Sequence, residues 1–123
     1  EGRRFTYVNA GHNSAFLCRS DGQTFDYLEA TGPLLGTFDT AAYKERTVEL
    51  RPTDVLVLYT DGVTEAMDAS GDLFGDDRLR DVIRAKRGES ATVILRGIWD
   101  AVKAHRDGSL DDDMTVVVVK GLT

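Results

Sequence analysis

Two groups of carboxylates stand where strands would deliver them to one place. Asp61 follows the apolar run Val55–Tyr59 in VLVLYTDGVTEA, while Asp112 and Asp113 precede the β-branched run Met114–Val119. If these runs are antiparallel neighbours, the end of the first lies beside the start of the second, about 5 Å away across the ladder. Acids distant in sequence then converge at one sheet edge, where they repel and raise each other's pKa. A hard cation relieves that repulsion, because Mg²⁺ and Mn²⁺ take oxygen ligands, often one or two carboxylates completed by water. The same residues have a plainer reading. Asp-Gly after a strand is a common turn, and Asp111–Asp113 reads equally as a solvated acidic loop.

The elements that must position these acids follow from periodicity. Phe5–Val8 and Ala15–Cys18 flank the turn-rich Asn9–Asn13 and predict a hairpin. After the turn at Ser20–Gln23, Thr24–Leu28 predicts another short strand. Gly32-Pro33 and Gly36 punctuate a loop, Lys44–Leu50 alternates as a half-exposed strand does, and Val55–Tyr59 predicts the central strand. Beyond Asp61 the pattern turns helical. Leu79, Val82 and Ile83 share a face behind Asp76-Asp77, acids that suit a helix start. From Ser90, an N-cap type, Ile94, Leu95, Ile98, Trp99 and Val102 form one apolar face to about His105. The expected fold is α+β, a mostly antiparallel sheet with two packed helices, with residues 1–123 inside one domain.

Composition narrows the function classes. A chain of 123 residues with 41% hydrophobic and 29% charged residues is an ordinary globular composition. The formal net charge of −6, with no basic stripe, argues against nucleic acid as a partner. No apolar run is long enough to span a membrane. Cys18 is the single cysteine, which excludes an intramolecular disulfide and fits a cytoplasmic setting. The chain opens at Glu1, without Met and close to a strand-like run, and is expected to be a piece of something longer.

The motifs VNAGHN, GPLLG, LYTDGVTEA, FGDDRL and DDMT occur in the order and rough spacing of the bacterial SpoIIE/RsbU-type phosphatases. These are a branch of the metal-dependent, PP2C-like (PPM) protein serine/threonine phosphatases, and the chain resembles them from Tyr7 to Val119. The resemblance implies part of an α-β-β-α sandwich, with Asp61 and Asp112 as ligands to Mn²⁺ or Mg²⁺. Asp113 falls where the family has Asn or a second Asp, so it is a weaker or supporting ligand. In the complete domain the implied chemistry has no covalent enzyme intermediate. Two ions share a bridging water or hydroxide that attacks the phosphorus of a phosphoserine or phosphothreonine in line. The implied substrate is a phosphoprotein such as an anti-sigma-factor antagonist in partner-switching signalling.

One departure limits that inference. The family's bridging Asp motif belongs to the N-terminal half of the domain, and none of the acids upstream of Asp61 is set in it. Residues 1–123 are therefore expected to be the C-terminal part of a phosphatase domain, inactive without the rest. The rival expectation is a non-catalytic interaction or dimerisation module that keeps the phosphatase fold. Half a sandwich leaves edges and apolar faces open, so self-association is expected as their cover.

Other chemistry-bearing residues read as structural. His12 has no Ser or Cys nucleophile signature beside it. Asn9 and Asn13 read as turn residues that tolerate left-handed conformations, and Glu65 as a cap of a short helix after Asp61. Cys18 reads as a buried hydrophobe and Trp99 as core or interface. The basic run Arg78–Arg87 reads as a solvated helix face balanced by Asp76, Asp77 and Asp81.

Overall fold

The computed structural model describes residues 3–108 and 113–122. The chain runs β1 (Arg3–Tyr7), β2 (Ala15–Cys18), β3 (Phe25–Leu28), β4 (Arg46–Leu50), β5 (Val55–Tyr59), α1 (Asp61–Thr64), α2 (Gly75–Lys86), α3 (Ala91–His105) and β6 (Val116–Lys120). Four strands form an antiparallel sheet in the order β3-β2-β5-β6, and β1 pairs with β4 in a separate two-stranded sheet. One face of the larger sheet carries α2 and α3, and its other face meets the β1-β4 pair. The layers are helix, sheet, sheet, which bears out the α+β expectation. No second helical layer appears among the described residues.

Side-chain alternation explains this layering. In β5, Val55, Val57 and Tyr59 point to the helices, while Leu56 points to the smaller sheet. In β2, Phe16 and Cys18 face the helices, and Ala15 and Leu17 face the strands. All four residues of β2 are buried, as a strand covered on both faces requires. The predicted hairpin between the first two strands does not form. β1 has one apolar face, Phe5 and Tyr7, that packs against the Leu17/Leu56 core, as do Val48 and Leu50 of β4. Pairing β1 with β4 joins two one-sided strands, with Phe5 opposite Val48. A strand apolar on both sides instead takes an interior place in the larger sheet.

The helices are built as their periodicity predicts. Leu79 and Ile83 of α2 and Ile94, Ile98 and Val102 of α3 are fully buried on the sheet. Their i, i+4 spacing places each set in one stripe. Each such side chain contributes about 1.5–3 kcal/mol by leaving water. Leu95 and Trp99, expected on the same face of α3, instead flank its stripe and are exposed. Ser90 caps α3, its hydroxyl accepting from Val93 N–H at 3.2 Å. Lys103 and His105 in the last turn suit the negative end of the helix dipole.

One guanidinium ties the two sheets together. Arg19, just after β2, donates to Asp26 of β3 at 2.7 Å, to Asp54 before β5 at 2.8 Å and to the Glu49 carbonyl of β4 at 2.6 Å. Asp54 is completely buried. Its carboxylate also accepts from Ser20 N–H at 2.9 Å and Arg51 N–H at 3.0 Å. A buried charge is tolerable only with such partners. This cluster sits near the start of β5, the opposite end of that strand from Asp61.

Candidate metal centre

The register of β5 against β6 brings the predicted ends together. Tyr59 lies opposite Val116 and Val55 opposite Lys120, so the C-terminal end of β5 adjoins the N-terminal end of β6. Asp61 is the first residue of α1 and is exposed. No described residue donates a hydrogen bond to its carboxylate. Its backbone carbonyl accepts from Glu65 N–H at 2.8 Å, and Glu65 occupies the C-cap of α1, the capping role read from the sequence.

Asp113 reaches this place through its backbone. A Cβ added at Gly62 would lie 2.3 Å from the Asp113 carbonyl oxygen, so the chain leading into β6 lies directly over the Asp61-Gly62 turn. Only glycine permits that approach. Asp112, the other predicted ligand, lies outside the described residues, as do Ser109, Leu110 and Asp111. The structure thus brings Asp61 beside the Asp113 backbone, and the Asp61–Asp112 pairing rests on sequence.

Four further hydrogen bonds hold this corner. Thr60 N–H donates to the Thr115 carbonyl at 3.0 Å, and Thr115 N–H donates to the Thr60 hydroxyl at 3.0 Å. From the other side the Asn13 amide donates to the Tyr59 carbonyl at 3.2 Å. The Tyr59 hydroxyl donates to Asp76 at 3.3 Å. Burial, with the Asp76 charge beside it, pushes the Tyr59 phenol up to about 12, so it stays protonated as a donor. A cleft of about 410 Å³ opens beside Asp61, lined by Asn13, Ser14, Glu29, Tyr59, Thr64 and Asp76 among others.

The residues present fit a hard divalent cation. The donor set at the corner is all oxygen, namely the exposed Asp61 carboxylate and peptide carbonyls, and among the described residues no cationic side chain pairs with Asp61. Among the described residues no group of three or more His, Cys, Asp or Glu could hold an ion without further ligands. A site here would therefore draw on the acids around residue 112 or on water.

The other candidates behave structurally. His12 N–H donates to the Asn9 side chain at 2.8 Å, and its ring Nδ1 lies 3.1 Å from the Asn13 carbonyl. Asn9 donates from its amide to the Leu28 carbonyl at 3.1 Å. Neither asparagine is left-handed, since Thr53 is the one non-glycine with positive φ among the described residues. Their amides act as struts, which turn propensity did not reveal. Cys18 is buried, and burial pushes its thiol up, leaving it unreactive. Trp99 is half-exposed on α3. The basic face of α2 is balanced as expected, with Arg84 on Asp81 at 2.8 Å and Arg80 on Asp77. Arg78 instead reaches back to Asp72 at 2.7 Å. Thr60 and the strut role of Asn13 escaped sequence reading, because a hydroxyl or amide gives no signal until its strand partner is known.

Comparison with known proteins agrees with this architecture. The family model for stage II sporulation protein E (SpoIIE) matches residues 1–121. The phosphoserine phosphatase RsbU of Bacillus subtilis is 35% identical over 117 residues, covering 95% of this chain and 35% of RsbU. The SiaA-PP2C domain of Pseudomonas aeruginosa superposes with a TM-score of 0.79 at 22% identity, covering 96% of this chain and 46% of that one. A structure of RsbU and RsbW domains from Mycobacterium tuberculosis gives a TM-score of 0.72 at 26% identity, covering 98% of this chain and 33% of that one. The chain spans about a third of RsbU, so what the longer relatives do as wholes is not transferred by the match itself. The family is shown by the matched length and the identity together: this chain belongs to the SpoIIE family and has the fold of PP2C phosphatase domains.

Proposed function

We propose that these residues are the C-terminal part of a metal-dependent protein serine/threonine phosphatase domain, and that they supply part of its metal site. The observation that carries this reading is the exposed Asp61 carboxylate at a strand end over which the Asp113 backbone is folded. Asp61 and Asp112 would hold Mn²⁺ or Mg²⁺, with Asp113 as a weaker or supporting ligand. The bound cation supplies a water of lowered pKa and neutralises charge on the phosphoryl oxygens.

The chain's own residues do the remaining work. The cleft beside Asp61 offers Asn13, Ser14 and Thr64 as polar groups to a phosphorylated segment. No covalent step is assigned to these residues: the Tyr59 phenol in the cleft holds its proton, and the single cysteine, Cys18, is buried away from it. The substrate class is a phosphoserine or phosphothreonine protein. An anti-sigma-factor antagonist in partner switching is the specific proposal, supported by the likeness to RsbU. The bridging Asp motif is assigned to a preceding N-terminal part of the domain, without which these residues do not turn over phosphate.

The test is phosphatase activity toward a phosphoserine peptide with added Mn²⁺, for residues 1–123 alone and for the chain extended at its N terminus. Activity confined to the extended chain supports the reading. Inactivity of both, across metals and peptides, removes it.

A second reading has its own observation. Leu58 and Val117 sit opposite each other on the inter-sheet face and are exposed, as is Val8, which lines a cleft together with Leu58. An apolar face open to water between two sheets favours a binding or self-associating module. Light scattering decides it: a dimer or larger species supports the module, and a monomer at all concentrations excludes self-association.

A further inference from the structure

The link between the two acid-bearing strand ends is made by a side chain that the reading above does not use. Thr60 stands at the N-cap of α1, where a threonine hydroxyl ordinarily accepts an N–H of the first turn. Here it makes no such bond. The Val63 N–H is taken by the Thr60 backbone carbonyl at 3.0 Å. That carbonyl has turned into the helix and has left the sheet. The Thr60 hydroxyl accepts in its place from Thr115 N–H, while Thr60 N–H donates to the Thr115 carbonyl.

A regular antiparallel pair exchanges two backbone bonds. Thr60 and Thr115 exchange two as well, but one acceptor is a side-chain oxygen. The ladder thus continues beyond the Tyr59–Val116 pair although the backbone is already turning into α1. Thr60 is adjacent to Asp61, and Thr115 is two residues from Asp113, whose carbonyl rests on Gly62. The hydroxyl fixes how the chain from Asp113 enters β6 relative to Asp61.

We propose that Thr60 is a positioning residue that latches the start of β6 to the Asp61-Gly62 turn, and so sets where the Asp113 backbone lies against Asp61. Its consequence for cation binding rests on the metal reading above, and the latch itself does not. Thr115 is exposed, so water can satisfy its N–H when the hydroxyl is lost. The expected injury is therefore to position and not to folding.

The test compares the parent, here the chain extended at its N terminus, with its Thr60→Val variant, which keeps the shape without the acceptor, and Thr60→Ser, which restores the oxygen. Two readings are taken on metal-free protein, amide exchange at Thr115 and Mn²⁺ affinity by calorimetry. In Thr60→Val the Thr115 amide is expected to exchange about tenfold faster. Mn²⁺ affinity is expected to fall about tenfold or more. Thr60→Ser is expected to recover both, with an unchanged amide spectrum elsewhere. Unaltered Thr115 exchange in Thr60→Val overturns the latch. Faster exchange with unaltered Mn²⁺ affinity overturns the positioning role. If the parent binds no Mn²⁺, the metal reading and the positioning role both fail, and the exchange result still decides the latch.

Discussion

The Asp113 carbonyl oxygen lies where a side chain on Gly62 would begin, 2.3 Å from the Cβ position. Backbone so close to backbone cannot yield as the tip of a flexible side chain would. Gly62→Ala is therefore expected to push the segment entering β6 away from Asp61. Such overpacking costs about 1–3 kcal/mol. Urea denaturation of the variant measures that loss, and an unchanged midpoint would mean that the two segments are not in contact.

At the other end of β5 the buried Asp54 carboxylate collects Arg19, Ser20 N–H and Arg51 N–H. Asp54→Ala leaves the Arg19 guanidinium short of a partner and two peptide N–H groups unsatisfied. Arg19 is partly solvated, so the expected cost is about 3 kcal/mol, the lower part of the range for breaking a buried pair. Because this cluster is remote from Asp61, Mn²⁺ affinity of the folded variant should match the parent. A loss of affinity with intact stability would contradict the division between bolt and site.

Tyr59 gives the corner a signature in alkali. Its folded pKa of about 12 lies above the ordinary tyrosine value of about 10, mainly through burial and then through Asp76. Above pH 10 the unfolded chain loses this proton while the folded chain keeps it. The stabilisation is therefore complete below pH 10 and is lost as pH rises towards 12. Tyr59→Phe should flatten the fall in stability across that window relative to the parent. Parallel curves for the two proteins would show that the phenol is not shielded.

Much of this was legible in the sequence, for identifiable reasons. The stripes Leu79/Ile83 and Ile94/Ile98/Val102, the Ser90 cap and the two-sided strand Val55–Tyr59 are local patterns, and each became the expected element. Convergence of the β5 and β6 ends followed from reading two apolar strands as antiparallel neighbours. The β1–β4 pairing was not legible. Proximity in sequence favoured a hairpin with Ala15–Cys18, and the choice was made by the match between two one-faced strands far apart in the chain. The roles of Thr60, Asn13 and Asp54 were hidden for the same reason, since each depends on a partner that only the folded sheet supplies.

If, as proposed, Asp61 and the acids before β6 belong to one divalent-cation site, a bound ion lies beside both strand ends. The most direct measurement is Mn²⁺-induced paramagnetic broadening of backbone amide signals in the parent and in Asp61→Asn. In the parent the signals of Thr60–Val63 and Asp113–Thr115 are expected to broaden first and together, and in Asp61→Asn both groups are expected to persist at the same Mn²⁺ concentration. Broadening centred elsewhere, or unaltered by Asp61→Asn, would contradict that proposal.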